Sequence, residues 1–210
     1  MKHPPYLLLI SAFLPFSGFP QASDSPAKAE ALCLSAEQVR MAERSGADNP
    51  KARDSNSSLK AGEKAPMFAL PSLEGKEVAL ADVIGEKVVV LSFIPAAWTP
   101  VCSEQWPGYN AAESLFRAHD ACLIGISTDP VPTLRAWTQT MGDLWFTVLS
   151  DFYPHGKAAA KYGILRGDGT AERAMVVIDR AGIIRFFKVY DIDRRPPLDD
   201  VINVLRDIGQ

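Results

Sequence analysis

Cysteine and histidine are both scarce in this chain, with three of each in 210 residues. So few cysteines exclude a disulfide-stapled scaffold, which needs a much denser set of bridges. An odd number also leaves at least one thiol unpaired or bonded to another molecule. Cys33, Cys102 and Cys122 therefore read as a reactive set rather than a structural one. His155 has no cluster of Cys, Asp or Glu at metal-ligand spacing, so it is assigned to the start of a helix and no metal is expected. The chain lacks a surplus of positive charge: the formal net charge is −3. That removes the basic face a nucleic-acid partner would require. Gly156-Lys157 has no glycine-rich loop ahead of it, so it is not read as a phosphate site; no cofactor is expected.

A long apolar run is missing as well. Tyr6 to Phe19 is apolar, but it falls short of the roughly 20 residues that span a bilayer, and Pro15 and Pro20 interrupt or end it. Lys2 and His3 precede it and small residues follow, the pattern of a secretory signal peptide. Cleavage after Ala22 gives a signal peptide over 1–22, and Ala27-Lys28-Ala29 offers a later site. Export to a periplasmic or extracellular space follows, with an uncleaved membrane anchor as the alternative. Residues 23–60 are rich in small and charged types, carry breakers at Asn49-Pro50 and Asn56-Ser57-Ser58, and lack a sustained apolar face. They are expected to form a flexible linker, although Cys33 to Arg44 has some helical character.

The remainder, 61–210, has the patterning of one domain. Met67–Leu70 and Lys76–Leu80 around Glu74-Gly75 predict an N-terminal β-hairpin. Lys87–Ile94 is almost unbroken apolar sequence, as in a central strand buried on both faces. A helix is expected from about Val101 to His119, with Pro107 close to its first turn. A strand follows at Cys122–Ser127, a helix at Val131–Met141, a strand at Phe146–Leu149 and a short helix at His155–Tyr162 capped by Gly163. Two strands, Ala174–Asp179 and Ile183–Val189, precede a final helix at Leu198–Ile208. Strands alternating with helices before a late hairpin predict an α/β fold, a central mixed sheet with helices on both faces. Trp98, Trp106 and Trp137 are read as packing residues rather than as a substrate-stacking surface.

The segment Phe93 to Cys102 carries the chemistry. It leaves a buried strand, turns through Pro95 and Pro100, and puts Cys102 in the first turn of a helix. Unpaired N–H groups and the helix dipole favour an anion there, and hence the reactive thiolate. Thr99, three residues earlier, places a hydroxyl within reach of both the sulfur and a bound oxygen, and the prolines stiffen the loop and shield it from water.

Pro95, Thr99 and Cys102 fit the P-x-x-x-T-x-x-C pattern of the peroxiredoxins, the alkyl hydroperoxide reductase and thiol-specific antioxidant family. The resemblance runs from about Ala61 to the C-terminus. Leu149 to Gly156, continuing through Tyr162-Gly163, resembles the one-cysteine, E-type branch, and Arg173 to Asp179 resembles the strand that carries the family's active-site arginine. The resemblance implies a thioredoxin-like fold and reduction of hydrogen peroxide or organic hydroperoxides through a sulfenic acid on Cys102. It assigns Arg173, Thr99 and the Cys102 N–H to charge stabilisation, makes Gln105 a candidate support, and implies a homodimer.

The route back to the thiol has several candidates. One common family pattern puts a resolving cysteine five residues after the first, where Pro107 stands. Cys33 has reach, and Cys122 begins a strand and reads mainly as core. The default is an external thiol or a thioredoxin-like reductant. Two rival activities remain. One is an exported thioredoxin-type thiol-disulfide oxidoreductase, since Trp98 to Cys102 resembles W-C-x-x-C with threonine replacing the first cysteine. The other is a non-enzymatic redox sensor or holdase.

Overall fold

The computed structural model describes residues 52–209. The expected signal peptide and its candidate cleavage sites, Cys33 and most of the expected linker lie outside that range. Strands β1 (Ala69–Pro71) and β2 (Glu77–Ala79) form the hairpin, and a single 3-10 turn, Leu80–Asp82, follows it. The main sheet contains β3 (Val88–Phe93), β4 (Ala121–Ser127), β5 (Thr147–Ser150), β6 (Ala174–Ile178) and β7 (Ile184–Val189). Their order is β5-β4-β3-β6-β7. The pairs β3–β4 and β4–β5 are parallel, whereas β6 joins β3 antiparallel and is itself followed by the antiparallel β7. The sheet is therefore mixed, as the alternation of elements predicted.

The centre of the sheet explains the unbroken apolar run. All six residues of β3 are buried. Val88 and Val90 face one apolar cluster with Trp106, Phe116, Leu134, Trp137 and Leu205. Val89, Leu91 and Phe93 face the other, with Phe68, Leu80, Ala158 and Tyr162. Four helices cover the first face: α1 (Pro100–Ala111), α2 (Glu113–Arg117), α3 (Val131–Gln139) and α5 (Leu198–Ile208). The hairpin and α4 (Lys157–Lys161) cover the second. Each large side chain buried this way contributes about 1.5–3 kcal/mol of transfer free energy.

Four expectations change. The helix expected from Val101 to His119 is two helices, because the backbone at Ala112 leaves helical geometry at φ −96°, ψ 13°. Pro107 lies well inside α1 rather than near its first turn. Helix α4 begins only at Lys157, because Gly156 adopts a left-handed φ of 63°, which a right-handed helix cannot contain. Trp106 and Trp137 are fully buried, but Trp98 is 57% exposed. It sits at φ +65°, a conformation rare for a bulky residue.

The described part of the expected linker is held against the domain. Asp54 and Ser55 donate their N–H groups to Glu172 Oε1, each at 2.7 Å, and the Ser57 hydroxyl donates to the Tyr162 carbonyl at 2.7 Å. These anchors are backbone and hydroxyl groups, which leave no apolar periodicity for composition to reveal.

Candidate active site

Strand β3 delivers the chain to a loop at the end of the sheet, and α1 carries it away. Thr99 is the extended N-cap at φ −76°, ψ 148°, and Pro100 takes the first helical position, where its missing N–H costs nothing. The loop is pinned by Asp129, beyond β4. Its carboxylate accepts the Ala97 N–H at 2.7 Å and the Ser127 hydroxyl at 2.5 Å, and its carbonyl accepts the Ser150 hydroxyl at 2.6 Å. One residue thus ties the loop leaving β3 to the ends of β4 and β5.

Cys102 occupies the third position of α1 and is fully buried. Arg173, immediately before β6, is 1% exposed and reaches it across the sheet. Both terminal guanidinium nitrogens, Nη1 and Nη2, donate to Cys102 Sγ at 3.4 Å. Nη1 also donates to Gln105 Oε1 at 2.6 Å, while Nε and Nη2 donate to the Ile192 carbonyl at 3.1 and 2.8 Å. A buried guanidinium calls for a compensating negative charge. Among the described residues no carboxylate pairs with Arg173; Glu172, its neighbour, pairs with Arg166 at 2.8 Å. Of the groups that Arg173 touches, Cys102 Sγ is the one that is neither an amide nor a backbone carbonyl oxygen.

Gln105 is fully buried and acts as a bridge. Its Nε2 donates to the Ser92 hydroxyl at 3.0 Å, and the Trp106 indole donates to the same oxygen at 3.2 Å. Pro95 is buried and lines a pocket of about 350 Å³ with Thr99, Pro100, Val101, Arg173, Ile192 and Asp193. Most of this lining is apolar, and Arg173 is its basic group. Thr99 makes no side-chain cap to α1, which leaves first-turn N–H groups open to a ligand oxygen. Its hydroxyl donates to the Ala96 carbonyl at 3.0 Å.

Cys122 is not brought to this site. It pairs with Val89 in the sheet register, four residues or about 13 Å of strand from the end of β3. It also packs on the opposite face from Cys102. A disulfide needs Cα atoms within roughly 7 Å, so this pair cannot close without rearranging the sheet. Burial pushes the Cys122 thiol up to about 11, which keeps it protonated near neutral pH.

Sequence reasoning missed Ser92, Asp129, Glu172 and Ile192. Ser92 had a signal, as the polar residue inside an otherwise apolar strand core. Gly125 had one too: a Cβ there would come within 2.7 Å of the Trp106 ring, so a glycine in β4 marks the close approach of α1. Ile192 acts through its carbonyl, which no side-chain pattern announces.

A thioredoxin-like sheet, with a helix-start cysteine beneath a buried arginine, places the molecule among thiol-dependent peroxidases. The comparisons agree: the AhpC/TSA family pattern matches residues 61–187, more than half of the chain. The chain belongs to the AhpC/TSA family. It is 36% identical over 129 residues to alkyl hydroperoxide reductase E of Mycobacterium tuberculosis, covering 61% of this chain and 84% of that one. The chloroplastic 2-Cys peroxiredoxin BAS1 of Hordeum vulgare is 31% identical over 156 residues, covering 69% and 73% respectively. Among solved structures, the reduced 2-Cys peroxiredoxin of Plasmodium vivax superposes with a TM-score of 0.67 at 28% identity, over 71% of this chain and 82% of that one. The peroxidoxin BcpB of Mycobacterium tuberculosis gives 0.64 at 29%, over 71% and 98%.

Proposed function

We propose that Cys102 is the attacking thiolate of this peroxidase and that Arg173 is its principal electrostatic partner. The observation that carries the reading is the approach of two guanidinium nitrogens to Sγ at 3.4 Å, with no carboxylate paired to that arginine among the described residues. The thiolate attacks the terminal oxygen of a hydroperoxide, a sulfur–oxygen bond forms, and the O–O bond breaks. The electron pair departs on the second oxygen, which leaves as an alkoxide or hydroxide and takes up a proton. Arg173 and the Cys102 N–H stabilise the charge growing on that oxygen. Thr99 and Pro95 shape the pocket wall and limit water.

The apolar lining supports organic hydroperoxides as substrates alongside hydrogen peroxide. An external thiol then displaces water from the sulfenic acid to give a mixed disulfide, and a second thiol releases the Cys102 thiol. A small thiol or a thioredoxin-like protein supplies both steps. Cys33, in the same or a partner chain, is the remaining internal candidate. A homodimer and export through the N-terminal segment complete the proposal. Export rests on the basic and apolar pattern of residues 1–22, and it would separate the enzyme from cytosolic reductants.

Peroxide consumption by the purified chain with excess dithiol tests the reading. Cys102→Ser is expected to lose all turnover above the free-thiol background. Retained turnover in that variant, or insulin reduction without peroxidase activity in the wild type, would contradict it.

A further inference from the structure

Resting on that reading of Cys102 and Arg173, we propose that Glu172 and the segment from Ala52 to Ser55 are a positioning device for the active-site arginine. Four connections form a closed circuit. The Arg173 guanidinium donates twice to the Ile192 carbonyl, at 3.1 and 2.8 Å. The Ile192 N–H donates to the Ala52 carbonyl at 3.1 Å. Two residues further on, the N–H groups of Asp54 and Ser55 both end on Glu172 Oε1 at 2.7 Å. Glu172 is joined through its own peptide bond to Arg173, which closes the ring.

Each part has a physical reason. Successive residues on extended backbone point to opposite sides, so Glu172 grips the N-terminal segment while Arg173 reaches towards Cys102. Glu172 is fully buried, and a lone carboxylate there would compete with the sulfur for Arg173. Arg166, itself 4% exposed, occupies the other carboxylate oxygen at 2.8 Å and removes that competition. The carbonyl that fixes the plane of Arg173 lies on the loop after β7. The Ile192 N–H of that loop bonds to the N-terminal segment, which makes the segment the anchor of the carbonyl. Both Ala52 and Ile192 fall outside the region that matches the family pattern, 61–187. The flanks of this chain, rather than the shared domain alone, therefore set how Arg173 sits on Cys102.

The test uses the full chain with Cys33 and Cys122 changed to serine, so that Cys102 alone reports. The readouts are the pH profile of Cys102 alkylation by iodoacetamide and the second-order rate with hydrogen peroxide. Glu172→Gln weakens the grip on the segment and leaves Arg173 intact. It is expected to move the midpoint of the alkylation profile to higher pH and to slow the peroxide reaction by about tenfold, less than the roughly 10²-fold that a 1 Å misplacement can cost. Asp151→Asn is the control, since Asp151 caps the start of α4 by accepting from Ala158 and Ala159. It should lower thermal stability and leave the midpoint unmoved. Glu172→Asp keeps the charge facing Arg166 but shortens the reach. It should move the midpoint in the same direction, and it serves where the Gln variant folds poorly. An unmoved midpoint in the folded Glu172 variants overturns the inference. Arg173→Met separates the two levels: if its midpoint moves and those of the Glu172 variants do not, only the positioning role fails. If the Arg173→Met midpoint also stays in place, the reading of Arg173 as partner of Cys102 fails with it.

Discussion

Arg173 is a cation almost without exposure whose hydrogen-bond partners are two neutral oxygens and one sulfur. On the proposed reading, its counter-charge is the Cys102 sulfur. Arg173→Met is therefore expected to cut the peroxide rate constant by about 10²–10³-fold, the usual loss when a preorganised donor is removed from a reacting centre. Stopped-flow kinetics with a hydroperoxide measure this directly. Cys122 gives the opposite expectation. It lies on the other face of the sheet and burial holds it protonated. Cys122→Ser should leave the rate within about twofold of wild type, as expected of a distant and independent site. A larger loss would restore Cys122 to the cycle.

At the scale of elements, α1 matters most because its packing sets where Cys102 points. Trp106 lies one turn beyond Cys102 and closes against the bare backbone of Gly125 in β4. Gly125→Ala forces the indole aside and is expected to cost about 1–3 kcal/mol, read by chemical denaturation. The same variant should slow the peroxide reaction, because Trp106 and Gln105 share the Ser92 hydroxyl. Much of this level was legible in the sequence. The apolar run around β3, the breaks at glycine and proline, and the final helix at Leu198–Ile208 each follow from periodicity. Cys102, Pro95, Thr99, Gln105 and Arg173 were legible through a motif and a resemblance, and the structure brings them together. The remainder was hidden for a physical reason. Ile192 and Ala52 act through backbone carbonyls, Asp129 ties the loop leaving β3 to the ends of β4 and β5, and the Thr99 hydroxyl donates to the backbone carbonyl of Ala96.

For the whole molecule, the acid limb of stability reports how α5 is attached to the sheet. Asp200, in the first turn of α5, is held below the ordinary carboxylate range by the Lys188 ammonium and then by the Tyr190 hydroxyl, both of which bond to it at 2.7 Å. Its ionised form therefore contributes stability above about pH 4, and that contribution is lost as pH falls through the depressed folded-state value. Asp200→Asn should lower Tm at neutral pH by about 2 °C, since a part-exposed pair is worth under 1 kcal/mol. The gap from wild type should close below about pH 4, which a Tm series against pH would record. The segment from Ala52, the loop after β7 and the start of α1 are linked through the Arg173 guanidinium, which bonds to the Ile192 carbonyl and to Cys102 Sγ.

The most direct test of the central claim is intrinsic tryptophan fluorescence in the stopped flow. Trp137 donates its indole N–H to the hydroxyl of Ser103, the residue after Cys102, at 3.3 Å, and Trp106 lies one turn away. Oxidation of Cys102 should therefore change the emission. The account predicts a rapid change on mixing with a hydroperoxide, first order in peroxide and absent in Cys102→Ser, with a sulfenic acid on Cys102 trapped by dimedone at the same rate. An unchanged trace in Cys102→Ser, or a wild-type reaction no faster than that of a free thiol, would contradict it.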